Sequence, residues 1–218
     1  NRGIVGFLSL AFFFYAIAHL NLGSAMTLNY TSPIFLGFFL PFISHQKIKK
    51  SILFCTIIGF IGALLILDPH GEWQSWFAGL VGLISGIGAA LAYIHVIQLS
   101  KLNEPDWRTV FYFTFISTLG SGLWISLTDY QKLIWDDLWI LIPLGLSATI
   151  AQIAMTRAYR LGNTLVIGAL SYLTIVFSGV ISLLYFNETM RMEDVLGAIL
   201  IIVSGAIASN ISMKSRIN

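Results

Sequence analysis

Eight long apolar runs, separated only by short polar connections, constrain this 218-residue chain more than any other feature. They cover residues 4–20, 25–43, 52–67, 77–99, 110–127, 138–158, 165–186 and 195–208. A helix needs roughly 20 mostly apolar residues to cross about 30 Å of hydrocarbon. The third and eighth runs are short and are expected to extend by a turn at each end. Strands of a membrane barrel would be about ten residues long with alternating polarity, whereas these runs are longer and unbroken. They read as helices. Composition agrees, with 57% hydrophobic and 10% charged residues, against roughly 25% charged in a soluble domain. So few charges cannot cover a water-facing surface. An ordinary soluble domain, a disordered chain and a nucleic-acid binder are all excluded, and the sequence predicts an all-α polytopic membrane protein.

The connections carry nearly all the charge. Sorted alternately, one side collects ten basic residues, Arg2, Arg157 and Arg160 among them, and only two acidic ones, Glu104 and Asp106. The other side holds Lys132 and Arg191 with eight acidic residues. By the positive-inside rule both ends of the chain are cytoplasmic. A miscounted helix would scramble this pattern, so the asymmetry supports the count of eight. Trp73, Trp76, Trp107, Trp135 and Trp139 sit at span ends, where amphipathic rings prefer to lie; only Trp124 lies well inside a span. Cys55 is the one cysteine and the four histidines are scattered, so neither a disulfide framework nor a metal cluster is expected. No cofactor motif and no Gly-x-x-x-x-Gly-Lys-Ser/Thr phosphate loop is present.

A motif occurs twice. One copy runs Leu22-Gly23-Ser24-Ala25, then Asn29-Tyr30-Thr31-Ser32-Pro33-Ile34-Phe35; the other runs Leu161-Gly162-Asn163-Thr164, then Ser171-Tyr172-Leu173-Thr174-Ile175-Val176-Phe177. Each is followed by a glycine-bearing span, with Gly59 and Gly62 in one and Gly197 and Gly205 in the other. Corresponding elements are five spans apart, and an odd number reverses direction, so the copies face oppositely across the membrane. Secondary transporters use such inverted repeats to build a substrate site near the midplane. A five-helix unit predicts ten spans; the first copy shows three, so two further amino-terminal helices are expected. Residues 1–70 are then the remainder of the first repeat and 71–218 the second.

These motifs resemble the EamA family of the drug/metabolite transporter superfamily. The stretch from Gly23 to Phe35, followed by Gly59 to Leu67, is similar to that family's fourth and fifth helices. Ala151 to Gly162 is similar to the end of its eighth, and Ser171 to Glu188 to its ninth and the acidic residue after it. The resemblance spans essentially the whole chain, aligned to family helices three to ten. It implies ten helices in two inverted five-helix halves around a central cavity, in the bacterial cytoplasmic (inner) membrane, moving small metabolites such as amino acids, usually outward. Two positions depart from the family pattern: His45-Gln46 stand where a glutamate is usual, and Ile175 where proline is frequent.

Small polar residues recur at helical spacing. Ser171, Thr174, Ser178 and Ser182 form one stripe, Gly145, Thr149, Gln152 and Thr156 a second, Thr114, Ser117 and Ser121 a third. Asn29 and Ser32 share a face with Pro33. Each stripe faces protein or water rather than lipid, either to let helices approach closely or to line a cavity. An amide in hydrocarbon demands partners, which gives Asn29 and Gln152 the stronger claim on a cavity. Pro33 is expected to bend its span and free the Asn29 carbonyl. Tyr30 and Tyr172 occupy matching places and offer stacking faces and hydroxyls. His95 is the histidine well within a span, with Gln98 one turn on; it is either a proton-binding group or a neutral partner of a neighbouring helix. The expected substrate-binding set is therefore Asn29, Tyr30, Ser32, His95, Gln152, Thr156, Ser171, Tyr172 and Thr174.

No Asp or Glu lies deep in a span, which favours exchange or facilitated transport over a proton-coupled pump. Clustered catalytic groups, as an integral membrane enzyme needs, are missing, as are a channel's filter glycines and charged rings. The reading is a secondary transporter rather than an enzyme. Its partners are a small metabolite and lipid, without nucleic acid, in a monomer or weak homodimer. The Gly82-x-x-x-Gly86 spacing serves packing within the chain or, less directly, dimerisation.

Overall fold

Hydrocarbon offers a backbone no hydrogen-bond partner, so each span must close its own ladder. The computed structural model describes residues 1–44, 48–69, 75–128, 135–185, 189 and 191–217. These form α1 (Arg2–His19), α2 (Leu22–Asn29), α3 (Ser32–Ser44), α4 (Lys50–Leu67), α5 (Trp76–Lys101), α6 (Asp106–Leu127), α7 (Leu138–Leu161), α8 (Thr164–Ser171), α9 (Leu173–Tyr185) and α10 (Met192–Ile217), with one 3-10 turn before α7. Joining α2 to α3 and α8 to α9 gives eight segments long and apolar enough to cross a membrane. His45, Gln46, Trp73 and Glu188 lie outside the described residues.

Two spans that read as continuous helices are broken. The first breaks at Tyr30-Thr31, and Pro33 becomes the second residue of α3 rather than a kink within one helix. In a first helical turn the missing N–H had no intrahelical acceptor, so proline fits there without cost. The second breaks at Tyr172 although no proline is present: Ile175 N–H turns back to the Tyr172 carbonyl at 3.0 Å, and the β-branched run Thr174-Ile175-Val176 resumes the helix. The freed groups are satisfied locally. Thr31 Oγ1 donates to the Leu28 carbonyl and Ser171 Oγ to the Gly168 carbonyl. The short helices before the breaks are capped alike, Asn21 Oδ1 accepting from Ser24 N–H, and Asn163 Oδ1 from Leu165 and Val166 N–H.

The bundle is tightest where α4 crosses α10 and α1 runs beside α5. A Cβ on Gly62 would stand 2.6 Å from the Gly197 carbonyl oxygen, so only glycine allows the two helices to approach this closely. On α5, Gly86 accommodates the backbone of the first break, and a Cβ there would meet the Leu28 carbonyl at 2.6 Å. The Gly82/Gly86 face thus packs within the chain. The core gathers Leu36, Ile52, Ile94, Leu165 and Ala169 on one side of the breaks, and Ala63, Tyr172, Ile175 and Ile201 on the other. Loops assigned by charge to a common side do meet: Arg160 pairs with Asp106 at 3.1 Å, and Arg191 pairs with Asp68 and Asp194. Trp76, Trp107, Trp135 and Trp139 stand exposed at helix ends, as an interfacial belt requires.

Candidate functional site

The two breaks meet at the centre of the bundle. Tyr172 Oη donates to the Tyr30 carbonyl oxygen at 3.2 Å, and the two rings lie 6.0 Å apart. Around this contact are clefts lined by different residues. The outer cleft, about 720 Å³, lies between α2, α4, α9 and α10 and is lined by Tyr30, Thr174, Ser178, Ser182, Arg191 and Asp194. This volume falls in the range of small-molecule sites. At its mouth Asp68 and Asp194 hold the Arg191 guanidinium above its ordinary pKa, their hydrogen bonds being the main cause.

The second cleft system opens toward the side bearing Glu104 and Arg108. Its wide part, about 670 Å³, is lined by Arg2, His95, Gln98, Glu104, Arg108 and Tyr112. It adjoins a deeper recess of about 180 Å³ walled by Arg2, Ser9, Asn29, Tyr93, Phe113 and Gln152. Asn29 and Tyr30 are consecutive, yet Asn29 lines this recess and Tyr30 the outer cleft. The helix break makes that possible, because it turns successive side chains toward opposite openings.

Of the expected residues, the structure brings Asn29 and Gln152 to the deep recess, His95 to its inner mouth, and Tyr30 and Thr174 to the outer cleft. Asn29 Nδ2 donates to Ser85 Oγ at 3.2 Å. Ser32, Thr156 and Tyr172 are buried and line none of these spaces, and the Ser171 hydroxyl is engaged by its own helix. At the first break the Tyr30 carbonyl accepts from the other break's side chain, where the acceptor expected to be freed was that of Asn29. Trp124, the tryptophan placed deep in a span, is 69% exposed and points away from the clefts' walls.

Sequence reasoning missed Arg2. It counted among the positive-inside residues, and that explanation hid it. In the structure Arg2 is only 7% exposed. Its Nη2 donates to Gln152 Oε1 at 3.4 Å, and its Cζ lies 4.4 Å from the centre of the Phe113 ring. Gly6 and Phe113 were missed with it: a Cβ on Gly6 would collide with Arg2 Nη1 and stand 2.9 Å from Phe113. The legible signal was a glycine one turn after an arginine at the start of a span.

The fold has counterparts among known proteins. A model of the EamA-like transporter family matches residues 2–68 and 76–210. This chain belongs to that family. It is similar to the pseudopaline exporter CntI of Pseudomonas aeruginosa, 28% identical over 93% of this chain and 71% of that protein. An uncharacterized transporter of Helicobacter pylori is 32% identical over 94% of this chain and 70% of its own length. A riboflavin transporter of Brucella anthropi is 23% identical over 86% of this chain. A solved crystal structure superposes with a TM-score of 0.84 at 17% identity, covering 97% of this chain and 75% of its own; it shows the fold. As an EamA-family member the chain is a multi-pass membrane transporter.

Proposed function

We propose that this protein is a secondary transporter, an exporter or exchanger, of small metabolites such as amino acids or related compounds. It acts in the bacterial inner membrane with both ends of this chain in the cytoplasm. One observation carries the reading: two separate clefts border the paired breaks, and consecutive residues of a broken helix, Asn29 and Tyr30, line one each. Alternating access requires a site between two openings, closed to each in turn. The names of the pseudopaline exporter and the riboflavin transporter support a small organic cargo, and the first of them supports export.

In this reading residues 1–70 belong to the first repeat and 71–218 to the second. Asn29, Gln152 and His95 contact substrate from the inner opening, Tyr30 and Thr174 from the outer. Ser32, Thr156, Ser171 and Tyr172 act behind them, becoming accessible only when the breaks move. Cargo shifts the balance of the two conformations only as far as its affinities for them differ. The intact transporter, screened for thermal stabilisation against amino acids, nucleosides, purines and quaternary amines, tests this. A ligand that binds only the folded state raises its apparent stability. We expect one chemical class to give a concentration-dependent shift that Asn29→Leu removes. Equal shifts from all classes, untouched by that variant, would contradict the reading.

A further inference from the structure

The deep recess contains a charge that has no counter-ion among the described residues. Arg2 Nε and Nη1 are both buried and without a hydrogen-bond partner. Its one hydrogen bond, from Nη2, goes to the neutral amide oxygen of Gln152 at 3.4 Å. Among the described residues no carboxylate lies within ion-pair distance. Glu104, which shares the wider cleft with Arg2, is paired with Arg108 at 2.7 Å. A buried, unpaired cation is strongly disfavoured, and an ionisable group inside a membrane bundle marks a functional site by default.

The direction of the side chain is informative as well. An arginine at the cytoplasmic end of a span can snorkel back to headgroups and water. Arg2 instead runs one turn up its own helix, into the gap beside Gly6, and lays its guanidinium on the Phe113 face. Gln152 stands nine residues before the end of α7, about 14 Å along the helix at its normal rise. The guanidinium is therefore inside the bundle, at the junction of the 180 Å³ recess and the 670 Å³ cleft. Glycine at position 6 makes the space, Phe113 holds the cation's face, and Gln152 steadies one nitrogen. Nε and Nη1 are left without a partner.

We infer that Arg2, held in place by Phe113, Gln152 and the space beside Gly6, is the anchor for a carboxylate on the transported molecule. The inference deepens the transporter reading and rests on it. A guanidinium suits this task because it stays charged and presents several fixed donors to one anionic group. At the outer cleft the one cation among the described residues, Arg191, is already paired with two carboxylates, Asp68 and Asp194, so recognition of an anion falls to the inner site.

The test uses pairs of compounds: L-amino acids and short mono- and dicarboxylates, each beside its own primary amide. Two readouts are taken on the intact transporter. One is counterflow in proteoliposomes; the other is the rate at which phenylglyoxal modifies Arg2, followed by mass spectrometry. We expect acids to slow modification and to exceed their amides in counterflow by about tenfold, one charge-assisted hydrogen bond's worth. Arg2→Gln brings that ratio near one, and Arg2→Lys keeps part of it. A merely structural arginine would lower all rates together and leave the acid-to-amide ratio unchanged, which would overturn the inference. So would amides that protect Arg2 as well as acids do; this arm uses the unaltered protein and stands even if Arg2→Gln fails to fold. Exchange of neutral or cationic compounds, equal with and without Arg2, would sink the inference while sparing the transporter reading. Protection by acids with no exchange of any compound would do the reverse.

Discussion

At the first helix break Tyr30 is partly buried and its side chain lines the outer cleft; at the second, Tyr172 is 0% exposed and lines no cleft. The two breaks share a motif, an asparagine-capped short helix before them, and a resumed helix after them. What differs is the neighbour. Gly59 of α4 leaves room for the Tyr172 ring, to which a Cβ there would come within 2.9 Å, and Phe60 lies 6.2 Å from it. Gly86 of α5 makes room at the first break for backbone, not for a ring. Two similar breaks therefore use their tyrosines differently: one side chain bonds the other's backbone, and the other forms a wall.

The largest test of this asymmetry is truncation. Tyr172→Ala should cost about 3 to 5 kcal/mol, the usual range for deleting a buried aromatic ring. Tyr30→Ala, already bordering a cleft, should cost less than half as much. Thermal unfolding in detergent checks both, and equal losses would erase the distinction. Overfilling comes next. Gly86→Val drives its side chain against the fixed backbone of the first break and should destabilise by about 1 to 3 kcal/mol. Gly59→Ala meets side-chain atoms of Tyr172 and Ser204, which can shift, and should cost less. A smaller effect isolates the bond itself. Tyr172→Phe leaves the Tyr30 carbonyl unpaired and should cost about 1 kcal/mol, read by the same unfolding assay with little change in fold.

The smallest expected effect is at the outer rim, where Arg191 joins Asp68 and Asp194 in water. Its folded-state pKa is raised, so its stabilising contribution is complete below the ordinary arginine value and is lost only as pH climbs through the raised one. A scan between about pH 6 and about pH 9 stays well below the arginine range. It should show no step that Arg191→Gln removes; such a step would place the outer cluster in the wrong protonation state.

The eight spans were legible because lipid demands unbroken apolar length. The breaks were not. Proline at position 33 reads equally as a kink or as a helix start, and Tyr172 sits in a run with no breaker residue; only packing against α4 and α10 decides. Asn29 and Gln152 stood out because an amide in hydrocarbon demands partners, and both line the recess. Arg2 escaped because topology already accounted for a basic residue at a cytoplasmic end. Its true environment depends on Gly6 and on Phe113 from another helix, a juxtaposition that no local pattern encodes.

Counterflow tests the central claim most directly. Proteoliposomes containing the intact transporter are preloaded with an unlabelled metabolite and diluted into a trace of the same compound labelled. The account predicts transient accumulation of label above equilibrium, abolished when the preload is omitted and diminished by Asn29→Leu. Label that merely equilibrates at a rate indifferent to preloading, accompanied by ionic conductance, would contradict it and describe a pore instead.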